Sequence, residues 1–117
     1  MKTFLIVDDS RLSRAMISRF VSSYPGWEVV EAADAEEASR VATGLTLTAA
    51  TIDFNMPGID GLELAAGLKE FHPKAQFVLL TANVQSAIRD RAAELGVGFL
   101  AKPVTEEKIR QLIDGLS

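Results

Sequence analysis

Short apolar runs and helix-period stripes alternate along the chain. Thr3–Val7 is a continuous apolar run, the signature of a strand buried on both faces. Met16, Ile17, Phe20 and Val21 then fall on one face of a helix, which Pro25-Gly26 terminates. Trp27–Glu31 alternates as a second strand. Asp34 and Glu37 have the spacing of a capping box, and Ala38, Val41, Ala42 and Leu45 continue as a thin helical stripe. Thr48–Ile52 is a third apolar run, closed by Asp53, with a turn at Pro57-Gly58. Gly61–Phe71 reads as a helix with Leu64, Leu68 and Phe71 on one face. Gln76–Leu80 is a fourth strand, Ser86–Leu95 a helix stopped by Gly96, and Gly98–Ala101 a short fifth strand. Thr105 can cap a last helix carrying Ile109, Leu112, Ile113 and Leu116.

Strands alternating with helices predict an α/β domain, a mostly parallel sheet covered on both faces. Right-handed crossovers leave few topologies. Ligand sites in such sheets form at the carboxyl ends of the strands. There the chain places Asp8-Asp9 after the first strand, Asp53 after the third, Thr81 after the fourth and Lys102 after the fifth. Glu31 ends the second strand, and we do not assign it to the site.

Three convergent carboxylates repel one another, and a hard divalent cation relieves the repulsion. Mg²⁺ takes oxygen ligands and keeps waters that a phosphate can displace. With a lysine and a hydroxyl beside it, the set has the parts for phosphoryl transfer. Asp53, a lone acid opposite the pair, is the best nucleophile for an aspartyl phosphate. Each residue also has a plain structural role: Asp8-Asp9 can cap a helix, Asp53 can open a turn, Thr81 can be an ordinary strand residue, Lys102 an exposed turn residue. The balance shifts because four separate strand ends carry complementary groups in one crevice. His72, before Pro73, reads as a surface or helix-end residue.

Composition narrows the function further. Lys and Arg number 12 against 16 Asp and Glu, a formal net charge of −4, with no basic run. That argues against a nucleic-acid partner. The chain has no cysteine, lacks an apolar leader, and has no apolar stretch near the roughly 20 residues that span a bilayer. These features predict one soluble, cytoplasmic domain over residues 1–117, with no membrane partner.

The segments "FLIVDDS", "TIDFNMPGIDG", "VLLTAN" and "FLAKPV", in that order, resemble the receiver domain of two-component response regulators, and in length its CheY-like single-domain members. The resemblance implies a flavodoxin-like (βα)5 fold with strand order 2-1-3-4-5 and no attached output domain. It implies that Asp53 is the phosphoacceptor and that Asp9, Asp53 and the backbone carbonyl of Asn55 bind Mg²⁺ directly, with Asp8 acting through water. Thr81 would hydrogen-bond the phosphoryl group, Lys102 would pair with it, and the Lys102–Pro103 bond would be cis, an isomer that only X-Pro makes inexpensive. Thr81, Ala82 and Phe99 would form the switch, reshaping the face of the last two helices and the fifth strand. Phe99 lacks the hydroxyl of the tyrosine found in many relatives. Asn55 and Asn83 stand where phosphate lifetime is tuned, and two amides predict slow to moderate self-dephosphorylation. Phe54 has no functional account.

The expected function is a phosphorylation-controlled switch in chemotaxis or a phosphorelay, not an enzyme with an external substrate. The phosphoryl donor would be a histidine kinase or histidine phosphotransfer protein, and the output a separate protein. An aspartyl-phosphate phosphatase would place a D-x-D pair on the first strand and need a cap, for which the chain is too short. A flavodoxin would need a phosphate-cradling loop where "DDSRLSRAM" stands. A degenerate, partner-binding receiver would have lost an acid, the threonine or the lysine, and all are present.

Overall fold

The structure is a computed structural model that describes residues 1–56, 58, 60–82 and 86–116. Its elements are β1 (Lys2–Val7), α1 (Arg11–Ser22), β2 (Trp27–Ala32), α2 (Ala35–Ala42), β3 (Ala49–Asp53), α3 (Gly61–Phe71), β4 (Gln76–Thr81), α4 (Ser86–Glu94), β5 (Gly98–Ala101) and α5 (Glu106–Asp114). The five strands are all parallel, in the order β2-β1-β3-β4-β5. No described helix is long and apolar enough to cross a membrane.

Alternation along each strand splits the core into two layers. Leu5 and Val7, Ala50 and Ile52, Phe77 and Leu79 pack on one face with Ala38, Leu62, Leu68 and Ala92 from α2, α3 and α4. Phe4, Ile6, Val78 and Leu80 pack on the other with Ile17 and Val21 of α1 and Ile109 and Ile113 of α5. The central strands are therefore mostly apolar, with Thr3 and Thr51 the buried polar exceptions inside β1 and β3, and charged groups gather where the strands end. Burying such side chains from water contributes roughly 1.5–3 kcal/mol each.

Ser10, Asp34, Asp60 and Thr105 cap α1, α2, α3 and α5, each side chain accepting a hydrogen bond from a first-turn backbone N–H. At α2, Asp34 Oδ1 accepts from Glu37 N (2.8 Å), while Glu37 Oε1 reaches one residue beyond the cap to Ala33 N (3.2 Å). Asp34→Ala is expected to cost about 1 kcal/mol by chemical denaturation; an unchanged midpoint would contradict the capping role. Gly96, with φ 71°, ends α4, and Val97 N donates to Ala92 O.

Three expectations change. The α2 stripe predicted Leu45 inside the helix, but α2 ends at Ala42; the Thr43 hydroxyl bonds back to Ser39 O, and Leu45 packs on the core from the following turn. Phe71 is 81% exposed, because it is the last residue of α3 and overhangs a cleft between α2 and α3 instead of reaching the sheet. Met16 is likewise partly exposed, while Ile17 and Val21 carry the contact of α1 with the sheet. His72 caps the C-terminus of α3, where it was expected.

Candidate functional site

In this strand order the connection after β1 runs one way, to β2, and the connection after β3 runs the other, to β4, so a crevice opens between the carboxyl ends of β1 and β3. Asp8-Asp9 and Asp53 stand there.

Asp8 N donates to Ala32 O (3.1 Å), extending the β1–β2 ladder by one bond. Asp8 Oδ1 accepts from Ser10 N (2.9 Å), and the Ser10 hydroxyl in turn accepts from Ser13 N at the start of α1. The residue is 1% exposed, and its Oδ2 is buried without a hydrogen-bond partner. Burial pushes the Asp8 carboxyl above its ordinary range; Asp53 and Asp9 add to that, while the Ser10 N–H and Lys102 oppose it. Asp9 is exposed.

Asp53 ends β3, buried at 3% exposure. Its Oδ1 accepts from Lys102 Nζ (2.9 Å) and from Asn55 N (3.2 Å). Main-chain bonds carry the ladder past the strand ends, from Phe54 N to Leu80 O and from Lys102 N to Thr81 O. The Lys102–Pro103 peptide is cis. Lys108 of α5 donates to Ala101 O (2.6 Å) and Pro103 O (2.9 Å), tying down both sides of Lys102.

Asp8, Asp9 and Asp53 each offer a carboxylate oxygen within 4.8 Å of the others. Octahedral Mg²⁺ sets its oxygen ligands about 3–4 Å apart, so small side-chain adjustments suffice. Three hard oxygen donors and an orphaned buried carboxylate oxygen fit such a cation. Beside them lies a cleft of about 450 Å³ lined by Asp8, Ser13, Met16, Ala82, Lys102 and Pro103.

Thr81 is buried at the end of β4, and Ala82 follows, exposed. Phe99 is half-buried on β5, packed on the core layer beneath α4, with the Arg89 guanidinium 5.3 Å from its ring centre. Phe54 packs on the same layer, a structural role for a residue the sequence left unexplained. Asn55 is exposed. Asn83 and Pro57 lie outside the described residues.

The sequence reading missed several residues around these. Gly61, first in α3, lies against the Asp53 main chain: a Cβ there would sit 2.5 Å from Asp53 O and 3.0 Å from Phe54 Cα. Asp60, its cap, also pairs with Arg91 of α4 (3.2 Å). Arg14 and Lys108 carry no periodic signal, since each bonds a backbone carbonyl at the sheet's end. The Asp60-Gly61 dipeptide did stand in the quoted "TIDFNMPGIDG".

Residues 4–114 match the family described as the response regulator receiver domain. A probable chemotaxis protein CheY from Rhizobium etli is 34% identical over 96% of this chain and 89% of that protein. The chemotaxis protein CheY4 of Vibrio cholerae superposes with a TM-score of 0.90 at 27% identity, covering 100% of this chain and 99% of that one. The response regulator TrrA of Thermotoga maritima, in complex with Mg²⁺ and BeF, superposes with a TM-score of 0.85 at 26% identity, over all of both chains. With the fold, the strand order and the match over nearly its whole length in agreement, the chain belongs to the response regulator receiver domain family.

Proposed function

We propose that this receiver is a phosphorylation-controlled switch whose phosphoacceptor is Asp53. One observation carries the reading: a buried strand-end carboxylate, paired with Lys102 at 2.9 Å, shares a crevice with two further carboxylates. No structural ion pair needs the extra acids.

Both hydrogen bonds to Asp53 from described residues fall on Oδ1, which leaves Oδ2 to act as nucleophile. Oδ2 attacks the phosphorus of a phosphohistidine; the P–O bond forms as the P–N bond breaks, and the imidazole leaves with the bonding pair. Lys102 stays beside the new acyl phosphate and offsets its charge, and the Thr81 hydroxyl donates to a phosphoryl oxygen. Asp8, Asp9, Asp53 and the Asn55 carbonyl would hold Mg²⁺, which when bound neutralises charge on the acids and the phosphoryl oxygens. Hydrolysis, by water attack at phosphorus, restores the carboxylate and resets the switch.

The output face is that of α4, β5 and α5. Ala92 is the one fully buried residue among those described on α4, so this helix is the least anchored on its layer. Movement of Thr81 and Ala82 toward the phosphoryl group would let Phe99 repack and change that face. The donor is a histidine kinase or histidine phosphotransfer protein, and the target is a protein surface that reads the α4–β5–α5 face.

Incubation with Mg²⁺ and acetyl phosphate tests the reading. Intact mass should show one added phosphoryl group on the wild type, none on Asp53→Asn, and none when Mg²⁺ is chelated. A wild type that gains nothing, or an Asp53→Asn variant that gains as much, would sink it. Turnover of general phosphatase substrates at about 1 s⁻¹ or faster would favour an enzyme instead.

A further inference from the structure

Arg14 is a cation bonded to the acidic pair's own backbone, at the carbonyl of Asp8. It projects from α1, its side chain only 16% exposed, and makes two contacts that the reading above does not use. Its Nη1 donates to the backbone carbonyl of Asp8 (2.7 Å), and its Nε pairs with Glu31 at the end of β2 (3.3 Å). A guanidinium presents its donors in a fixed fork, so holding one end on Glu31 aims the other.

Three of the four polar atoms of Asp8 are thereby occupied. Its N–H is on Ala32, its carbonyl on Arg14 and its Oδ1 on the N–H of Ser10. The fourth, Oδ2, is the buried oxygen without a partner. The carbonyl that Arg14 holds belongs to the Asp8–Asp9 peptide. Because that peptide is planar, fixing its oxygen fixes the direction in which Asp9 leaves the strand. Arg14 touches neither carboxylate, yet its hydrogen bond orients the residues that carry both. Edge strand β2 gains a role as well: Ala32 and Glu31, its last two residues, hold the N–H and, through Arg14, the carbonyl of one aspartate.

We infer that Arg14, aimed by Glu31, is a positioning residue for the cation site formed by Asp8, Asp9 and Asp53. The inference rests on the reading that these acids hold Mg²⁺. Residues that orient metal ligands typically change affinity by about 10- to 100-fold when removed.

The test is Mg²⁺ affinity, followed on the intact protein by amide NMR shifts of residues 8–10 and 53–55 during titration with MgCl2, with thermal midpoints measured separately in EDTA. Arg14→Met should weaken Mg²⁺ binding about tenfold. Arg14→Lys, which can still donate to the carbonyl from a single point, should recover part of it. Glu31→Gln should weaken binding about threefold, and should add nothing in the Arg14→Met background, because its effect passes through the guanidinium. A merely structural role predicts lowered midpoints with Mg²⁺ affinity unchanged; that result overturns the inference, as does a Glu31→Gln effect that persists undiminished without Arg14. If Arg14→Met fails to fold, Arg14→Lys and Glu31→Gln decide, and wild-type affinity in both overturns it. If the wild type itself does not bind Mg²⁺, the reading of the acidic cluster falls, a separate outcome from a wild type that binds while the variants bind equally well.

Discussion

Asp8→Asn should raise thermal stability at neutral pH in the absence of Mg²⁺, and should at the same time remove most of the protein's response to Mg²⁺. The carboxyl is buried, its Oδ2 has no partner, and Asp53 and Asp9 add repulsion. Its pKa is accordingly raised in the folded state above the value of 3.8 it has when free. The sign follows from proton counts. Between the unfolded and folded pKa values the folded state binds more protons, so stability falls as pH rises through that window. Above the raised folded value the full cost of the charge is present; below about 3.8 it is gone. An asparagine keeps the Oδ1 acceptor for Ser10 N–H and carries no charge. We expect a gain on the order of 1 kcal/mol, or about 4 °C in midpoint, at pH 7, shrinking to nothing as the pH drops below the unfolded value. Mg²⁺ reverses the order. A ligand that binds only the folded state stabilises it in proportion to the logarithm of its concentration over Kd. Loss of a carboxylate should weaken Mg²⁺ binding by about 100-fold, so millimolar Mg²⁺ should raise the wild-type midpoint and leave that of Asp8→Asn nearly fixed. Midpoints measured across pH with and without MgCl2 decide it; a variant less stable than wild type at pH 7 in EDTA contradicts the electrostatic account.

The same physics sets what the sequence could say. Parallel strands buried on both faces must be apolar along their length, so the first charged residue after each run marks its end. Phe4–Val7 before Asp8 and Ala49–Ile52 before Asp53 announce both the strands and the site, and crossover topology brings those ends together. That is why the strand-end positions of Asp8, Asp9, Asp53 and Lys102 were legible in the sequence. Their supports were not. Arg14 and Lys108 act on carbonyls of Asp8, Ala101 and Pro103, and a carbonyl that needs a donor leaves no mark on residue type. Glu31 reads as an ordinary polar strand residue, because its partner lies on a helix whose rotation about its axis is set by packing. Phe71 shows the converse. Its spacing from Leu64 and Leu68 is helical, but periodicity does not tell where the helix leaves the sheet, and the residue stands exposed over the cleft between α2 and α3.

Two glycines on one helix should respond to alanine in opposite directions. Gly61 and Gly67 both lie in α3. At Gly67 an added Cβ meets nothing within 4 Å, so Gly67→Ala should gain the ordinary helix preference, about 0.5–1 kcal/mol. At Gly61 the same methyl would sit 2.5 Å from Asp53 O and 3.0 Å from Phe54 Cα. Both are main-chain atoms, and Phe54 N is already committed to Leu80 O across the sheet. Neither can retreat alone, so either α3 lifts or the end of β3 shifts. Overpacking of this kind costs about 1–3 kcal/mol. The site should suffer more than the fold, because the displaced carbonyl belongs to the proposed phosphoacceptor, whose carboxylate must stay aligned with Lys102. A misplacement near 1 Å can lower a reaction rate about 100-fold. Gly61→Ala should therefore unfold at lower denaturant than wild type, and the folded protein should take a phosphoryl group from acetyl phosphate at least tenfold more slowly. Gly67→Ala should be phosphorylated at the wild-type rate. Equal stability and equal rates for the two variants would mean that α3 can yield, and that the close approach of Gly61 to Asp53 does not hold the phosphoacceptor in place.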